Sequence, residues 1–321
     1  MNYFELDPVH FYTIPSLTWS AEIKTTNVTL ELLTDIDMYL MLESGIRGGM
    51  CLVSKRFSKA NNKYLENFDE MSPSKYIISL DVNNLYGTAM AFYNLPESEF
   101  RFLDQNEIQE FDLMSVRSDS NVGYILEVDL YYPPELHSEH NSFPMAPHHE
   151  AITFDMLSPY QKEIYTDSLC LEVLTDDFYN DLVKKIKNLM DFSNYDASHK
   201  YHSTKHQSLL GYLKDETKGV PIKEFCALRP KMYSYTFGKE NKKTAKGTKK
   251  SVVQNVLKHE MYLNVFKNDH LIKNKKSSII SKNHTVSTIQ QNKTSLCSFY
   301  DKMYLCDEIE CLAYGNVSIR K

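Results

Sequence analysis

Asp81 and Asp167 are the residues whose placement most suggests chemistry, because each stands where an apolar run meets a polar turn. Tyr76-Ile77-Ile78-Ser79-Leu80-Asp81 reads as a buried strand that delivers its aspartate at the end. Asp167 falls between the short run Glu163 to Tyr165 and a strand from Ser168 to Leu174, a pattern that predicts a hairpin with Asp167 near its tip. Two carboxylates at one open sheet edge can clamp divalent ions about 3.5–4 Å apart, the arrangement two-metal phosphoryl transfer needs. Mg²⁺ suits that role, since it takes oxygen ligands and keeps water and phosphate in its shell. An aspartate at a strand end is more often a turn residue or a helix cap, so the neighbouring residues must decide.

A polyanionic substrate also needs cations. From Lys239 to Lys250 the chain carries lysines at 239, 242, 243, 246, 249 and 250 against the single acid Glu240, whereas acidic residues gather before position 182. An acidic catalytic part beside a basic grip fits a metal-dependent enzyme acting on a polyanion, and a solvated lysine loop is the alternative. The net charge of −6 argues against a protein whose whole surface grips nucleic acid.

The elements that must position these groups read as follows. A helix spans 34–45, with Thr34 as N-cap and Gly45 as the left-handed terminator, followed by the turn around Gly48 and Gly49. Gly123 to Tyr132 reads as a strand stopped by Pro133-Pro134. Thr175 caps a helix whose apolar stripe is Phe178, Leu182, Ile186 and Leu189, with Asp176 and Asp177 at its positive end. Leu209 to Glu216 and Val220 to Phe237 read as a strand pair joined at Lys218-Gly219. Alternation puts Lys231, Tyr233 and Tyr235 on one strand face, as a contact surface would require. The stretch 251–321 mixes a helical piece with polar strands. Strands and helices alternate without a βαβ rhythm, so the expected class is α+β with a mainly antiparallel sheet.

Asp81-Val82-Asn83-Asn84-Leu85-Tyr86-Gly87 resembles the first palm motif of family-B DNA polymerases, in the variant of the protein-primed group carried by large DNA transposons and related viruses. That resemblance implies a metal ligand at Asp81 beside the Val82 carbonyl, backbone amides near Asn84 and Leu85 meeting a triphosphate, and Tyr86 beneath the deoxyribose. A ring against C2′ leaves no volume for a ribose hydroxyl. Tyr165-Thr166-Asp167-Ser168 is similar to the third palm motif, with Asp167 at its second, metal-binding aspartate and Tyr165 where the first would stand. Lys231-Met232-Tyr233 resembles the Lys-x-Tyr motif that steadies a primer terminus, Lys246-Gly247 with Lys249 the Lys-Gly signature after it, and Gly48-Gly49 the glycine pair that follows template DNA. All five stand in the family's order. The resemblance implies a palm-like region over 1–175, the rest of the palm over 176–250 and a thumb-like region over 251–321. It further implies two Mg²⁺ ions, dNTP and a DNA primer-template, and a terminal priming protein as a further partner.

The chain departs from the family in one place. Only 85 residues separate Asp81 from Asp167, and the fingers helix with its nucleotide-binding lysine is absent from that interval. The resemblance therefore implies an internal deletion or a mispredicted splice near 162–165, and a sequence that does not include the family's upstream exonuclease domain. With fewer cations on the triphosphate and no closing helix, templated synthesis should be impaired or lost.

A non-catalytic DNA-binding remnant of such a polymerase is the competing expectation. An RNase H-like nuclease ranks below both, having no use for Leu85-Tyr86 or Lys-x-Tyr, and the Thr-Asp-Ser hairpin disfavours a reverse transcriptase. Six cysteines without a CxxC pair, and His148-His149 without spaced partners, argue against structural zinc. The tyrosines should serve mainly as half-buried packing. With neither a signal-peptide pattern nor an 18-residue apolar run, an intracellular protein away from membranes is expected.

Overall fold

The computed structural model describes residues 4–46, 49, 51–145 and 171–320. Gly48, the run 163–165, Asp167, the His148-His149 pair and the start of the strand expected from Ser168 lie outside them. The described residues form a mixed α+β structure with seven α-helices and several sheets, whose ladders are antiparallel except for one parallel pair. The chain divides into two compact units, 1–48 with 90–128 and 49–89 with 129–321.

The smaller unit contains helices α1 (Ile14–Thr26), α2 (Ile36–Gly45) and α4 (Gln105–Glu110). Each begins on a side chain that accepts first-turn amides. Thr13 serves α1, Asp104 forms a capping box with Glu107, and Asp35 caps α2 in place of Thr34. The Asp35 carboxylate reaches both the Asp37 and Met38 amides, which explains the shift by one residue. Among the described residues of this unit only Ala21 is buried. The expected strand over 123–132 forms no ladder, and Ile125, Val128, Leu130 and Tyr131 stand exposed. An apolar run has strand propensity, but a strand needs a partner for its amides.

The larger unit is built on the sheet β1-β7-β8-β9, comprising Phe57–Lys59, Ile222–Arg229, Met232–Phe237 and Glu240–Ala245. The run Phe225-Cys226-Ala227-Leu228 is buried on both faces of this sheet. Phe225, Ala227 and Tyr235 face a core with Leu52, Ile77, Tyr300 and Met303. Cys226, Leu228 and Met232 face a second core formed with Leu257, Tyr262 and Val265, the last two on α7 (His259–Asn268). Helix α6 (Lys250–Asn255) precedes α7, and the short pairing of β12 (Tyr304–Leu305) with β13 (Cys311–Leu312) and the long ribbon of β10 (Ile272–Lys282) with β11 (Thr285–Leu296) complete the C-terminal part. Tyrosine divides between two roles: Tyr12, Tyr86 and Tyr131 stand exposed, whereas Tyr262 and Tyr300 are fully buried packing residues with bonded hydroxyls. Tyr262 donates to the Thr244 carbonyl at 2.9 Å, while the Tyr300 hydroxyl accepts from the Val53 amide at 2.7 Å.

The expected strand through Asp81 is two strands that serve different sheets. β2 (Lys75–Ile78) pairs antiparallel with β4 (Leu171–Leu174), and after Ser79 the chain continues as β3 (Leu80–Val82), which pairs with β6 (Leu213–Asp215). β5 (Met190–Asp191) runs parallel to β6 on its other side. Under β2, Tyr76 packs with Phe178, Tyr179 and Tyr195. Phe178 and Tyr179 open α5 (Phe178–Ile186), capped by Asp177 rather than Thr175. Thr175 instead bonds Asp181 through its hydroxyl, and Leu189 lies beyond the helix and exposed.

β6 does not pair with β7 as the sequence suggested. The buried Asp215 carboxylate accepts from the Thr217 amide at 2.9 Å, the Thr217 hydroxyl at 2.8 Å and the Gly219 amide at 2.8 Å. Those bonds fold Lys218 and Gly219 into a left-handed turn, with φ 58° and 80°, that sends the chain into the other sheet. Because Leu228 is fully buried, Leu228→Ala should lower unfolding free energy by about 2–5 kcal/mol. Leu130→Ala, on an exposed side chain, should change it by less than about 0.5 kcal/mol. Urea unfolding of the two variants checks both.

Candidate functional site

Asp81 lies within β3 rather than at its end, directly opposite Lys214 of β6, with its side chain exposed. Lys214 in turn lies beside Asp191 of β5, so three charged residues form one row across the sheet. The Lys214 ammonium is 3.5 Å from the Asp191 carboxylate. Val82 is half-buried and pairs with Leu213.

After β3 the chain turns sharply into α3 (Leu85–Phe92). Asn84 makes the turn in the left-handed region, φ 46°, which asparagine tolerates better than most residues. Its side-chain oxygen accepts from the Gly87 amide at 3.1 Å and its carbonyl accepts from the Thr88 amide at 2.9 Å, so Asn84 caps the helix. Glycine at 87 has a local reason, since a Cβ there would stand 2.4 Å from the Asn84 side-chain nitrogen. The first-turn amides of Leu85 and Tyr86 have no acceptor within the helix, and both side chains point to solvent, Tyr86 82% exposed. Asp81, Val82, Asn84, Leu85 and Tyr86 thus lie together on one strand, turn and helix start. Gly49 is exposed with open space about it.

The basic residues form a second group. Lys231 occupies the β7–β8 turn with φ 53°, exposed, and its carbonyl accepts from the Lys246 amide at 2.9 Å. The Lys-x-Tyr and Lys-Gly segments are therefore neighbours. Tyr233 and Tyr235 do share a strand face, their rings stacked at 6.1 Å. That face is core, however: Tyr235 is 0% exposed and Tyr233 half-buried, so only the turn and its edge meet solvent.

The lysine run divides by task. Lys242 pairs with Glu216, and the Lys243 ammonium donates to the Leu257 carbonyl at 2.8 Å and that of Gln254 at 3.1 Å. Lys246 and Lys249 are exposed, and Lys249 lines a shallow groove with Gly247, Lys275, Lys276 and Lys293. The last three were not read from the sequence as part of any site. They come from the β10–β11 ribbon, and only its register, Lys276 opposite Gln291 and Asn274 opposite Lys293, brings them there.

Sequence reasoning also missed Asp191, whose carboxylate accepts from the Asn83 side-chain amide at 2.9 Å. Among the described residues no three His, Cys, Asp or Glu side chains converge as a metal cluster. No family model, curated protein or solved structure matches the chain.

Asn84→Ala removes the cap and forces alanine into a left-handed conformation, so α3 should lose about 1–2 kcal/mol. Asn84→Gly, which accepts that conformation, should cost the helix only a few tenths of a kcal/mol relative to the asparagine. Hydrogen exchange at the Gly87 and Thr88 amides measures the contrast.

Proposed function

We propose that this chain is a palm and thumb part of a protein-primed family-B DNA polymerase, with Asp81 and Asp167 as the metal-binding carboxylates of nucleotidyl transfer. The observation that carries the reading is the strand, turn and helix start at 81–87. It joins an exposed carboxylate, two helix-opening amides without intrahelical acceptors and an outward tyrosine within a few residues. The β2–β4 ladder supports it further. Ile78 pairs with Leu171, and along the sequence Asp81 lies three residues after the one and Asp167 four residues before the other.

The donor set suits Mg²⁺. The Asp81 carboxylate and the Val82 carbonyl are hard oxygen donors, and Asp167 would supply the other side. Bound at these oxygens, divalent ions would supply Lewis-acid activation of a primer 3′-hydroxyl and would offset phosphate charge. The chain's own residues do the rest. The Leu85 and Tyr86 amides, at the positive end of α3, attract the triphosphate of a dNTP. The Tyr86 ring occupies the space a ribose hydroxyl would need. Lys231, on the exposed turn, steadies the primer terminus with Tyr233 half-buried behind it, and Lys246 and Lys249 hold backbone phosphate. The sequence supplies no fingers lysine between Asp81 and Asp167, so catalysis by this chain alone is impaired.

A second reading, a non-catalytic DNA-binding remnant, is favoured by the groove where Lys249 meets Lys275, Lys276 and Lys293. The two readings part on metal. If the carboxylates share ions, Mn²⁺ at a hundred times its dissociation constant should stabilise the fold by about 2.7 kcal/mol. Thermal unfolding with and without Mn²⁺ reads this, and Asp81→Asn or Asp167→Asn should abolish the shift. No shift in the unaltered chain would leave only the remnant.

Both readings require the exposed Lys246 and the adjoining groove lined by Lys249 and Lys293 to bind DNA. Replacing Lys246, Lys249 or Lys293 by alanine should weaken binding across sequences, each reducing the slope of log affinity against log salt by about 0.9. Fluorescence anisotropy with a labelled duplex over a salt series checks it.

A further inference from the structure

Asp191 is a fully buried carboxylate that the proposed chemistry does not use, and one of its bonds reaches the turn that carries the chemistry. One oxygen accepts from the Ser193 amide at 2.9 Å. The other accepts from the Asn83 side chain at 2.9 Å and the Ser208 amide at 3.0 Å, with the Lys214 ammonium 3.5 Å away. Burial alone would raise its pKa. The Ser193 hydroxyl and amide, the Ser208 amide and the Asn83 side chain outweigh that and hold it well below the ordinary carboxylate range, so it is an anion at neutral pH.

Asn83 stands between the strand that carries Asp81 and the left-handed residue that starts α3. Its backbone is held on both sides: its amide donates to the Tyr212 carbonyl at 2.9 Å, and its carbonyl accepts from the Gly211 amide at 3.0 Å. Gly211 has φ 80°, and a Cβ there would lie 2.9 Å from the Thr88 side chain, so this loop packs tightly on the first turn of α3. Asp191 grips Asn83 through its side chain and, through Ser208, the same loop that grips Asn83 through its backbone.

We propose that Asp191 is a positioning residue for the Asp81 turn: it fixes Asn83 and the 208–212 loop, and so sets where Asp81 and the α3 amides point. This rests on the reading of Asp81 as a nucleotidyl-transfer carboxylate, but the clamp itself is measurable without catalysis.

The test uses Asn83→Ala, which removes one bond and leaves the other Asp191 partners in place, beside Asp191→Asn, which removes the charge. Hydrogen exchange at the Gly87 and Thr88 amides should quicken about tenfold in each, the scale of one hydrogen bond to a charged group. The Ala227 and Tyr235 amides should not change. The double variant should be no faster at the turn than Asp191→Asn alone. In nuclear magnetic resonance spectra, the Asn83 side-chain amide protons should be protected in the unaltered chain and should lose that protection in Asp191→Asn.

Unchanged exchange at the turn, or an unmoved Asn83 signature, overturns the proposal. So does quickened exchange confined to β5 and β6, which would make Asp191 a fastener of that sheet only. Should Asp191→Asn fail to fold, Asn83→Ala alone decides. If the unaltered chain binds no Mn²⁺ while the two variants show the turn response, the polymerase reading falls and the clamp stands.

Discussion

The change of partner at Ser79 is the constraint on which the rest of the larger unit depends. One eight-residue stretch, 75–82, pairs first with β4 and then with β6. The Ser79 carbonyl accepts from the Glu216 amide at 2.9 Å, so the switch is bonded as well as folded. β6, with β5 behind it, supports β3 and the turn after Asp81. Registers in such short ladders are fixed by burial, because a slip of one residue would exchange Tyr76 and Ile78 with Ile77 between two different cores.

Charge placement follows from that arrangement. The row Asp81, Lys214, Asp191 alternates in sign from solvent to interior. The buried member is held by amide donors as well as by lysine, which is how a carboxylate survives burial as an anion. Asp215, the next residue of β6 after Lys214, points to the other face and is buried too, but its bonds go to its own following turn and to the Tyr195 hydroxyl at 3.0 Å. Asp191 of β5 and Asp215 of β6 thus bond to two different turns.

What could be read from the sequence divides along physical lines. Local signals carried well: α2 and α5 begin close to the caps expected at Thr34 and Thr175, with Asp35 and Asp177 taking that role one and two residues on, Lys218-Gly219 is a turn, and Tyr233 and Tyr235 alternate onto one face. The α+β class and the antiparallel bias also followed from element order. What failed was pairing. Gly123 to Tyr132 has the composition of a strand, and nothing local says whether a partner exists. Leu209 to Glu216 precedes a turn and a strand, and only the Asp215 bonds send the chain elsewhere. Burial of Tyr235 depended on Leu52, Tyr300 and Met303, all distant in sequence. Asn83 and Asp191 are far apart in the chain, and neither has a local signature of the bond between them. Lys275, Lys276 and Lys293 belong to a ribbon whose register no spacing rule announces.

The smaller unit, with Ala21 as its one buried described residue, has an energetic consequence of its own. Free energy of folding scales with apolar surface withdrawn from water, so helices capped at their starts but lacking an interior contribute little cooperative strength. Denaturation of the whole chain should therefore not be a single all-or-none event: 1–48 with 90–128 would melt early and broadly, while the tyrosine-lined cores of the other unit persist. In a cell, that early-melting portion would be the face offered to chaperones and proteases, and it would set the lifetime of the polypeptide.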